Sequence, residues 1–404
     1  MKDFEKKAKA HALKNAIRYN GKASSGAVIS GLFAEGLKKE EVKEYSKKIN
    51  EIVVSVNKLS LDEQKKEYEK LQGIISEREV REGLEELPNV PKSGVVMRFA
   101  PAASGPMHLG HAITGTISSL YVKKYGGKFY LRIEDTNPDK VFSDCYKSFK
   151  EDSDWLFGNV TEYIIQSDRM EIYYKYAEKF LRKGAAYICT CSPEKFKGFV
   201  NLKENCPCRN NDLKENLYRW KKMLSKDSKE NYKQGSAILR FKSSMQDSNP
   251  AMRDFPLARI NENEHPRQKK KYRVWPLMNL SVTVDDIEYG MTHIIRAKEH
   301  MDNAKRQKMM YKVLGLEKKF PWTYFMGRIK FNDLPLSKRK IVAAIESGDY
   351  EGWEDIRLPT LFALKKRGYK PEAFFKFAEQ RGLTDVDKVM DSKDLFKILD
   401  TFNK

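Results

Sequence analysis

Hydrophobic and polar positions change their period along the chain, and the clearest change lies between residues 95 and 135. Residues 95–100 and 128–134 are short, mainly apolar runs of the length of buried strands. The segment between them has a helical composition from Met107 onward and stops at Gly126–Gly127. Strand, helix and strand in this order predict a βαβ unit with two parallel strands.

Helical periodicity dominates both ends of the chain. Within the first 93 residues, charged segments at 6–19 and 40–58 predict helices. Residues 145–157 predict an amphipathic helix, and the chain becomes helical again after Ile341. The pattern as a whole indicates an α/β core flanked by helical regions.

Two histidines mark the start of the helix in the βαβ unit. His108 and His111 are predicted to lie in its first turn, with Gly110 between them. Ligands of parallel sheets bind beyond the carboxyl ends of the strands, where helix N-termini offer unpaired N–H groups and a partial positive charge. Imidazoles at this position can donate to phosphate oxygens, and the glycine leaves room for a nucleotide. From these residues alone, histidines that merely cap and pack the helix fit equally well.

The charge of the chain is strongly positive. A formal net charge of +20 and a pI near 9.4 in 47.0 kDa indicate a polyanionic partner, although a solvated lysine-rich surface gives the same totals. No segment approaches the about 20 consecutive apolar residues of a membrane helix, and the first residues lack the apolar stretch of a signal peptide. We therefore expect a cytoplasmic protein without a membrane partner.

Four of the five cysteines form one group. Cys189 and Cys191 make a C-x-C pair, and Cys206 and Cys208 make a second pair after fourteen intervening residues. Four thiolates at this spacing can complete a tetrahedral site, for which zinc is the cation that suits soft ligands. We expect a structural zinc, since four protein ligands leave no open position, and the alternative is free thiols in a loop. Cys145, outside the group, is expected to be a core residue.

Two separated motifs carry a family resemblance. The tetrapeptide HLGH at 108–111, behind RFAP at 98–101 and SGP at 104–106, resembles the HIGH signature of class I aminoacyl-tRNA synthetases. LSKRK at 336–340 resembles the companion lysine loop of that class, more than two hundred residues later and in the required order. An ordered pair of motifs is far more specific than either motif alone.

Further motifs between these two narrow the resemblance. They are RIEDTNPD at 132–139, QSDR at 166–169, VDD at 284–286 and IIRAKEH at 294–300. Together they resemble glutamyl-tRNA synthetase of the archaeal and eukaryotic type, whose close relative is glutaminyl-tRNA synthetase. The resemblance covers nearly the whole chain. Relatives continue into two β-barrels that read the anticodon, and we expect no such barrels from these 404 residues.

The resemblance implies a fold class and a domain layout. The fold class is α/β, with a Rossmann-type parallel nucleotide-binding sheet, an acceptor-binding insertion and helical domains at both ends. The expected divisions are an N-terminal helical domain at 1–93, the first half of the catalytic domain at 94–186, the insertion with a zinc knuckle at 187–260, the second half with the lysine loop at 261–341, and a helical tRNA-contact domain at 342–404. The apolar run 274–284 is expected to return the chain to the nucleotide domain.

The resemblance also implies an ATP site. The expected ATP-binding residues are Ser104, Gly105, Pro106, His108, Gly110, His111, Ser337 and Lys338. Of these, His108 and His111 are expected to stabilise the transition state at the α-phosphate. Lys338 is expected to reach the β- and γ-phosphates and to stabilise the departing pyrophosphate, with Mg²⁺ on the phosphates.

For the amino acid, the resemblance implies four contacts. Arg98 is expected to read the substrate side chain, Glu134 to bind the α-ammonium, and Arg296 to complete the site. Met278 stands where relatives commonly have a tyrosine whose hydroxyl helps to recognise the side chain, and it offers no such donor. Two further departures are Ala102-Ala103 within residues 101–104 and the Ile287 that follows VDD.

The activity that the resemblance implies is a glutamate–tRNA ligase reaction. Glutamate is activated with ATP as an adenylate and is then transferred to the 3′ end of tRNA. The insertion would hold the acceptor arm, and the basic stretch at 264–273 fits phosphate contact as well as solvated charge. The N-terminal helical domain is a candidate for binding a protein partner.

Two other functions remain open. Met278 and the missing barrels fit a shortened paralogue that uses another amino acid or acceptor. A non-catalytic RNA-binding paralogue that keeps the fold is the other alternative, and the retained His108, His111 and Lys338 argue against it.

Overall fold

The computed structural model describes residues 3–75, 83–334 and 338–404, and the side chains of Lys39, Lys338 and Arg339 lie outside this description. The chain forms two compact units, Met1–Arg81 and Glu82–Lys404.

The first unit is helical in its described part. Its helices are α1 (Phe4–Arg18), α2 (Ser25–Ala34), α3 (Val42–Asn57) and α4 (Leu61–Leu71). Ser24 caps α2, and Ser60 with Glu63 forms a capping box at α4, so backbone N–H groups at both helix starts are satisfied. Small and aliphatic residues of α1, α2 and α3 fill one core. The helices predicted at 6–19 and 40–58 correspond to α1 and α3.

The second unit contains the sheets. Its first half comprises β1 (Val95–Phe99), α5 (Leu109–Tyr125), β2 (Gly127–Ile133), α6 (Cys145–Leu156), β3 (Glu162–Ile165), α7 (Met170–Arg182), β4 (Ala186–Cys189), α8 (Pro193–Leu202), α9 (Leu213–Leu224), β5 (Ile238–Phe241), β6 (Pro256–Ile260) and β7 (Val274–Pro276). Its second half comprises α10 (Met278–Glu288), β8 (His293–Ala297), α11 (Met301–Val313), β9 (Trp322–Met326), β10 (Ile329–Phe331), α12 (Lys338–Glu346), α13 (Leu361–Lys366), α14 (Pro371–Arg381), β11 (Lys388–Met390) and α15 (Ser392–Phe402).

The predicted βαβ unit is present as β1, α5 and β2. Strands β1 and β2 run parallel, and β3 continues the sheet on the other side of β2. Gly94 and Gly127 sit at the amino end of this strand pair with φ of +86° and +112°. A Cβ on Gly127 would lie 2.0 Å from the Val95 carbonyl oxygen, and one on Gly94 would lie 2.4 Å from Gly126, so both positions require glycine.

A second pair of parallel strands extends this sheet. Strands β8 and β9 pair in parallel, and Thr292, just before β8, is bonded to β1. Its N–H donates to the Val96 carbonyl at 3.0 Å, and its hydroxyl accepts from the Val96 N–H at 2.9 Å. The resulting order, β3-β2-β1-β8-β9, is that of a doubly wound fold, whose ligands bind where the order reverses, next to β1.

The insertion is built on an antiparallel sheet of order β4-β5-β6-β7. This sheet ends at Pro276, which pairs with Ala258, and so it includes residues 274–276 that the apolar run had placed in the returning half of the nucleotide domain. Period alone cannot tell which sheet a short buried strand joins. Trp275 packs with Leu257 and with Leu280 of α10 in one core, so β7 connects the insertion to the catalytic unit.

The C-terminal region is helical, with one short strand that periodicity did not predict. Strand β11 pairs in parallel with β10 through Ile329 and Lys388. Helix α14 packs against α5, and Phe374 and Phe377 join the same core as Leu120. None of the helices in the described ranges has both the length and the apolar character needed to span a bilayer.

Candidate active site

Helix α5 begins with two stacked histidines. His108 is the N-cap, and its Nδ1 accepts from the Gly110 N–H at 3.1 Å, while Nδ1 of His111 accepts from the His108 N–H at 3.3 Å. The rings lie face to face with centroids 3.9 Å apart. Because both Nδ1 atoms accept, the neutral rings carry their hydrogen on Nε2, where it can be donated to an anion. The helix begins two residues later than the predicted Met107, since His108 itself caps it.

The C-terminal region fixes this helix start. The Leu109 N–H donates to the Pro359 carbonyl at 2.8 Å, and the Leu361 N–H donates to the Met107 carbonyl at 2.9 Å. Thr360 forms a bridge opposite His108. These bonds hold the histidine segment from the side of α13.

A cleft opens in front of the histidines. It has a volume of about 300 Å³ and lies at the carboxyl ends of β8 and β9. Its lining comprises His108, Gly110, His111, Ile113, Thr114, Ala297, Glu299, Met326, Gly327, Arg328, Ile329, Phe331 and Arg381. Apolar walls together with two guanidinium groups and a helix N-terminus suit a nucleotide.

The other predicted ATP residues lie partly beside this cleft and partly outside the description. Ser104, Gly105 and Pro106 follow β1 in a loop whose neighbour Ala103 donates its N–H to the Glu134 carbonyl at 3.0 Å. Ser337 lies outside the described residues. The backbone of Lys338 begins α12, but its side chain is not described, so its contact with phosphates stays a prediction.

The ends of β1 and β2 carry a buried ion-pair network. Arg98, 5% exposed, donates from Nε to Asp286 Oδ1 at 2.8 Å and from Nη2 to Oδ2 at 3.2 Å. Arg132 donates to Asp286 Oδ1 at 2.7 Å and to Glu134 Oε1 at 3.1 Å. Burial by itself would raise the pKa of Asp286, but Arg98 and Arg132 hold it below its ordinary value.

The neighbouring carboxylate, Asp285, accepts hydrogen bonds from a different set of residues. It accepts from Arg169 Nε at 2.8 Å, from Gln166 at 2.8 Å and from the Tyr173 hydroxyl. Complete burial raises the pKa of Asp285 despite the arginines around it. The VDD motif therefore provides two buried acceptors that position strand-end arginines.

Arg296, on β8, has a neutral partner instead of a carboxylate. It is 7% exposed, and its Nη1 donates to Gln307 Oε1 at 3.0 Å. Burial and the nearby charge of Arg98 lower the pKa of Arg296 to about 10. Among the described residues its Nε is buried without a hydrogen-bond partner. Arg98, Glu134 and Arg296 thus lie close enough to act on one another, and the charges of Glu134 and Asp286 offset that of Arg296 without a direct bond to it, so a further anion can bind there.

Met278 lies at the rim of the same group. It begins α10, is 37% exposed, and its sulfur accepts from the Asn303 side chain at 3.5 Å. Asn303 also contacts Nδ1 of His300, whose pKa is lowered by burial and by Arg296. Sequence reasoning missed Asp286, Arg132 and Gln307 as members of this site, although the VDD motif held the first of them and the RIEDTNPD motif held the second.

The basic stretch at 264–273 forms a hairpin anchored to the catalytic unit. Nε2 of His265 bonds the Asp135 carbonyl at 2.9 Å, and Arg267 pairs with Asp168 at 2.6 Å. Arg273 is buried and donates to the carbonyls of Met223 and Tyr232. The exposed cations of the hairpin are Arg267, which pairs with Asp168, and the consecutive lysines Lys269, Lys270 and Lys271.

The four cysteines of the insertion form a candidate metal centre. Their sulfurs all lie within 4.8 Å of one another, at 3.6 Å for Cys189 and Cys206, 3.3 Å for Cys191 and Cys206, and 3.9 Å for Cys191 and Cys208. Four sulfurs at about 2.3 Å from a tetrahedral zinc lie roughly 3.8 Å apart. The Thr190 N–H and Arg219 both point to Cys208 Sγ, which suits a thiolate. The donor set therefore fits zinc.

The doubly wound sheet, with paired histidines at the start of its first helix and a cleft before them, defines a class I aminoacyl-tRNA synthetase catalytic unit. The chain belongs to the family described as "tRNA synthetases class I (E and Q), catalytic domain", whose profile matches residues 94–402.

Individual relatives agree with this assignment. The glutamate–tRNA ligase of Methanocaldococcus jannaschii is 42% identical over 396 residues, which cover 98% of this chain and 70% of the relative. The glutamate–tRNA ligase of Pyrococcus horikoshii is 42% identical over 410 residues, with the same coverage of 98% and 70%. A crystal structure of a glutamate tRNA ligase from Elizabethkingia meningosepticum in complex with its amino acid superposes with a TM-score of 0.54 at 19% identity, covering 75% of this chain and 68% of that one, and it supports the fold.

Proposed function

We propose that the chain catalyses ATP-dependent activation of glutamate and its transfer to the 3′ end of tRNA. The observation that carries the proposal is the position of Arg296, a buried cation without a carboxylate partner, beside Arg98 and Glu134 and next to the histidine cleft. The archaeal relatives named above are glutamate–tRNA ligases, and their alignments cover nearly the whole of this chain.

For activation, the glutamate α-carboxylate attacks the α-phosphate of ATP. The Nε2–H groups of His108 and His111 would donate to the α-phosphate as negative charge builds on it, and the N-terminus of α5 adds its partial positive charge. Lys338 would stabilise the departing pyrophosphate. Magnesium enters as part of the nucleotide substrate and neutralises phosphate charge.

Arg98, Arg296 and Glu134 are the residues that would bind the amino acid. Arg98 holds Asp286 through Nε and Nη2, and its Nη1 takes no part in that pair. We propose that Nη1 of Arg98 and the guanidinium of Arg296 bind the substrate's side-chain carboxylate, and that Glu134 binds the α-ammonium. Arg132 would keep Glu134 oriented, since it bonds Oε1 of that residue at 3.1 Å.

For tRNA, we propose that the insertion and the lysines of the hairpin contact the acceptor arm. Lys269, Lys270 and Lys271 are exposed, and a run of lysines on an anchored hairpin suits a phosphate backbone. Zinc held by Cys189, Cys191, Cys206 and Cys208 would stabilise the small knuckle, whose own core is little more than Tyr187 and Phe196. We also propose that the chain divides into domains at the boundaries given above, and that the N-terminal helices bind a protein partner.

The test is amino-acid-dependent exchange of pyrophosphate into ATP, measured with and without tRNA across the common amino acids. Exchange with glutamate is expected. No exchange with any amino acid, combined with tight tRNA binding, would instead favour a non-catalytic RNA-binding paralogue.

The exposed position of Met278 beside the His300 and Arg296 group favours a second candidate, a ligase that prefers another amino acid or acceptor. In that case the exchange assay identifies the other amino acid, and Met278→Tyr should move the preference towards glutamate. An unchanged preference in Met278→Tyr would argue against this candidate.

A further inference from the structure

Gln307 is the residue that fixes the guanidinium of Arg296 within the described part of the chain. It lies on α11, is 2% exposed, and accepts from Arg296 Nη1 through Oε1 at 3.0 Å. Its own Nε2 is buried without a partner among the described residues. The amide orientation follows from chemistry, because the reverse orientation would set an N–H group against the N–H groups of the guanidinium.

The other arginines of the network have carboxylate partners. Asp286 accepts from Arg98 and Arg132, and Asp285 accepts from Arg169. A neutral amide can fix the geometry of a guanidinium, but it does not cancel its charge. Arg296 is therefore held in place at the carboxyl end of β8 by a neutral group, and the charges of Asp286 and Glu134 offset its positive charge only from a distance.

We propose that Gln307 is the positioning residue that sets the amino-acid preference, because its neutral side chain holds Arg296 with its charge available to select a substrate carboxylate over an amide. This inference rests on the proposed function and deepens it. A carboxylate at position 307 would take the place of the substrate's carboxylate on Arg296 and would repel it. A hydrocarbon at position 307 would leave the charge and remove only the orienting hydrogen bond.

The test compares two variants that keep the size of the side chain. Gln307→Glu should lower kcat/KM for glutamate about 100-fold, mainly through KM. The new carboxylate would pair with Arg296 and so replace the pair between Arg296 and the substrate's side-chain carboxylate. For glutamine the change should be less than about tenfold, so that the discrimination between the two amino acids shrinks. Gln307→Met should raise KM for glutamate by about tenfold through the lost hydrogen bond to a charged group.

Controls separate this role from packing. Lys305→Gln makes the net charge more negative by one unit, as Gln307→Glu does, but at an exposed position of α11. It should leave kcat/KM for glutamate and for glutamine unchanged. Thermal unfolding and ATP binding establish that each variant is folded. Gln307→Met keeps the inference testable if Gln307→Glu does not fold, since a KM increase confined to glutamate supports the positioning role and equal increases for both amino acids overturn it.

The failures of the two proposals differ. A wild-type enzyme that activates another amino acid but not glutamate overturns the proposed function, and the inference falls with it. A wild-type enzyme that activates glutamate, with Gln307→Glu keeping its full preference, overturns the inference alone.

Discussion

Arg98 and Asp286 are joined by two parallel hydrogen bonds between the end of β1 and the last turn of α10. The distances are 2.8 Å from Nε to Oδ1 and 3.2 Å from Nη2 to Oδ2, and both side chains are buried. Arg132 donates to the same carboxylate. One helical carboxylate thus allows two arginines to be buried at the strand ends that form the site.

Asp286→Asn should destabilise the protein by about 3–5 kcal/mol, because it removes the carboxylate that pairs with buried Arg98 and one of the carboxylates beside buried Arg132. Urea unfolding monitored by tryptophan fluorescence measures this. Asp302→Asn is the control, since it breaks an exposed pair with Lys305 and should cost less than about 1 kcal/mol. Similar stabilities for the two variants would show that the buried arginines find other acceptors.

His111 caps the His108 N–H and is proposed to donate to phosphate, and a pair of substitutions can separate these two roles. An asparagine keeps an acceptor near the position of Nδ1, which caps the His108 N–H, but loses the donor at Nε2. A glutamine keeps a donor near Nε2 and loses the capping acceptor. His111→Asn should lower kcat for pyrophosphate exchange about 10²- to 10³-fold, and His111→Gln should lose less. The opposite order would mean that capping, rather than donation to phosphate, is what activity requires.

Zinc content tests the cysteine group. Metal analysis of the purified protein should give about one zinc per chain, and Cys206→Ser should lose it and lower the unfolding temperature. Cys145→Ser, which changes a buried cysteine in α6 away from the group, should retain the zinc. Wild-type protein whose four thiols all react without any metal release would contradict the site.

Asp152, on α6, should make stability depend on pH. It is 7% exposed, and burial raises its pKa from 3.8 to about 7, with Lys365 only partly offsetting this. The raised value means that the folded state binds the proton more tightly, so stability is greatest at low pH and falls as pH rises from about 4 to about 7.

Asp152→Asn should remove that loss. The variant should match the wild type near pH 4 and exceed it by up to about 4 kcal/mol at pH 8 in urea unfolding. Asp144→Asn, an exposed carboxylate before the same helix, should show no such difference between the two pH values. A constant gap between Asp152→Asn and wild type at all pH values would attribute the effect to packing.

Local pattern was enough to predict much of the fold. The change from a strand period to a helix period located β1, α5 and β2, because each of these elements buries its own apolar positions. The cysteine spacing predicted the grouping of four sulfurs, since two C-x-C turns bring their ligands together almost by themselves.

Long-range partners were not predictable in the same way. Strand β7 pairs with the edge strand β6 of the insertion sheet. The sequence of residues 274–276 does not indicate this partner, because pairing depends on which strand edge lies nearby in the fold. Asp286 and Gln307 contact arginines that are far away in the chain or on another element, so their roles depend on tertiary packing rather than on local composition.

The glycines at the start of the parallel strands limit how this protein can change over time. Gly94 and Gly127 face backbone atoms of the neighbouring strand at distances that admit no methyl group, whereas Gly126, with a φ of +71°, faces open space. In a saturation mutagenesis library under selection, codons 94 and 127 should therefore be purged of every alternative, alanine included. Codon 126 should keep glycine as well despite the open space, because φ of +71° with ψ of 179° is a backbone conformation that essentially only glycine adopts, so none of the three positions is open to neutral drift.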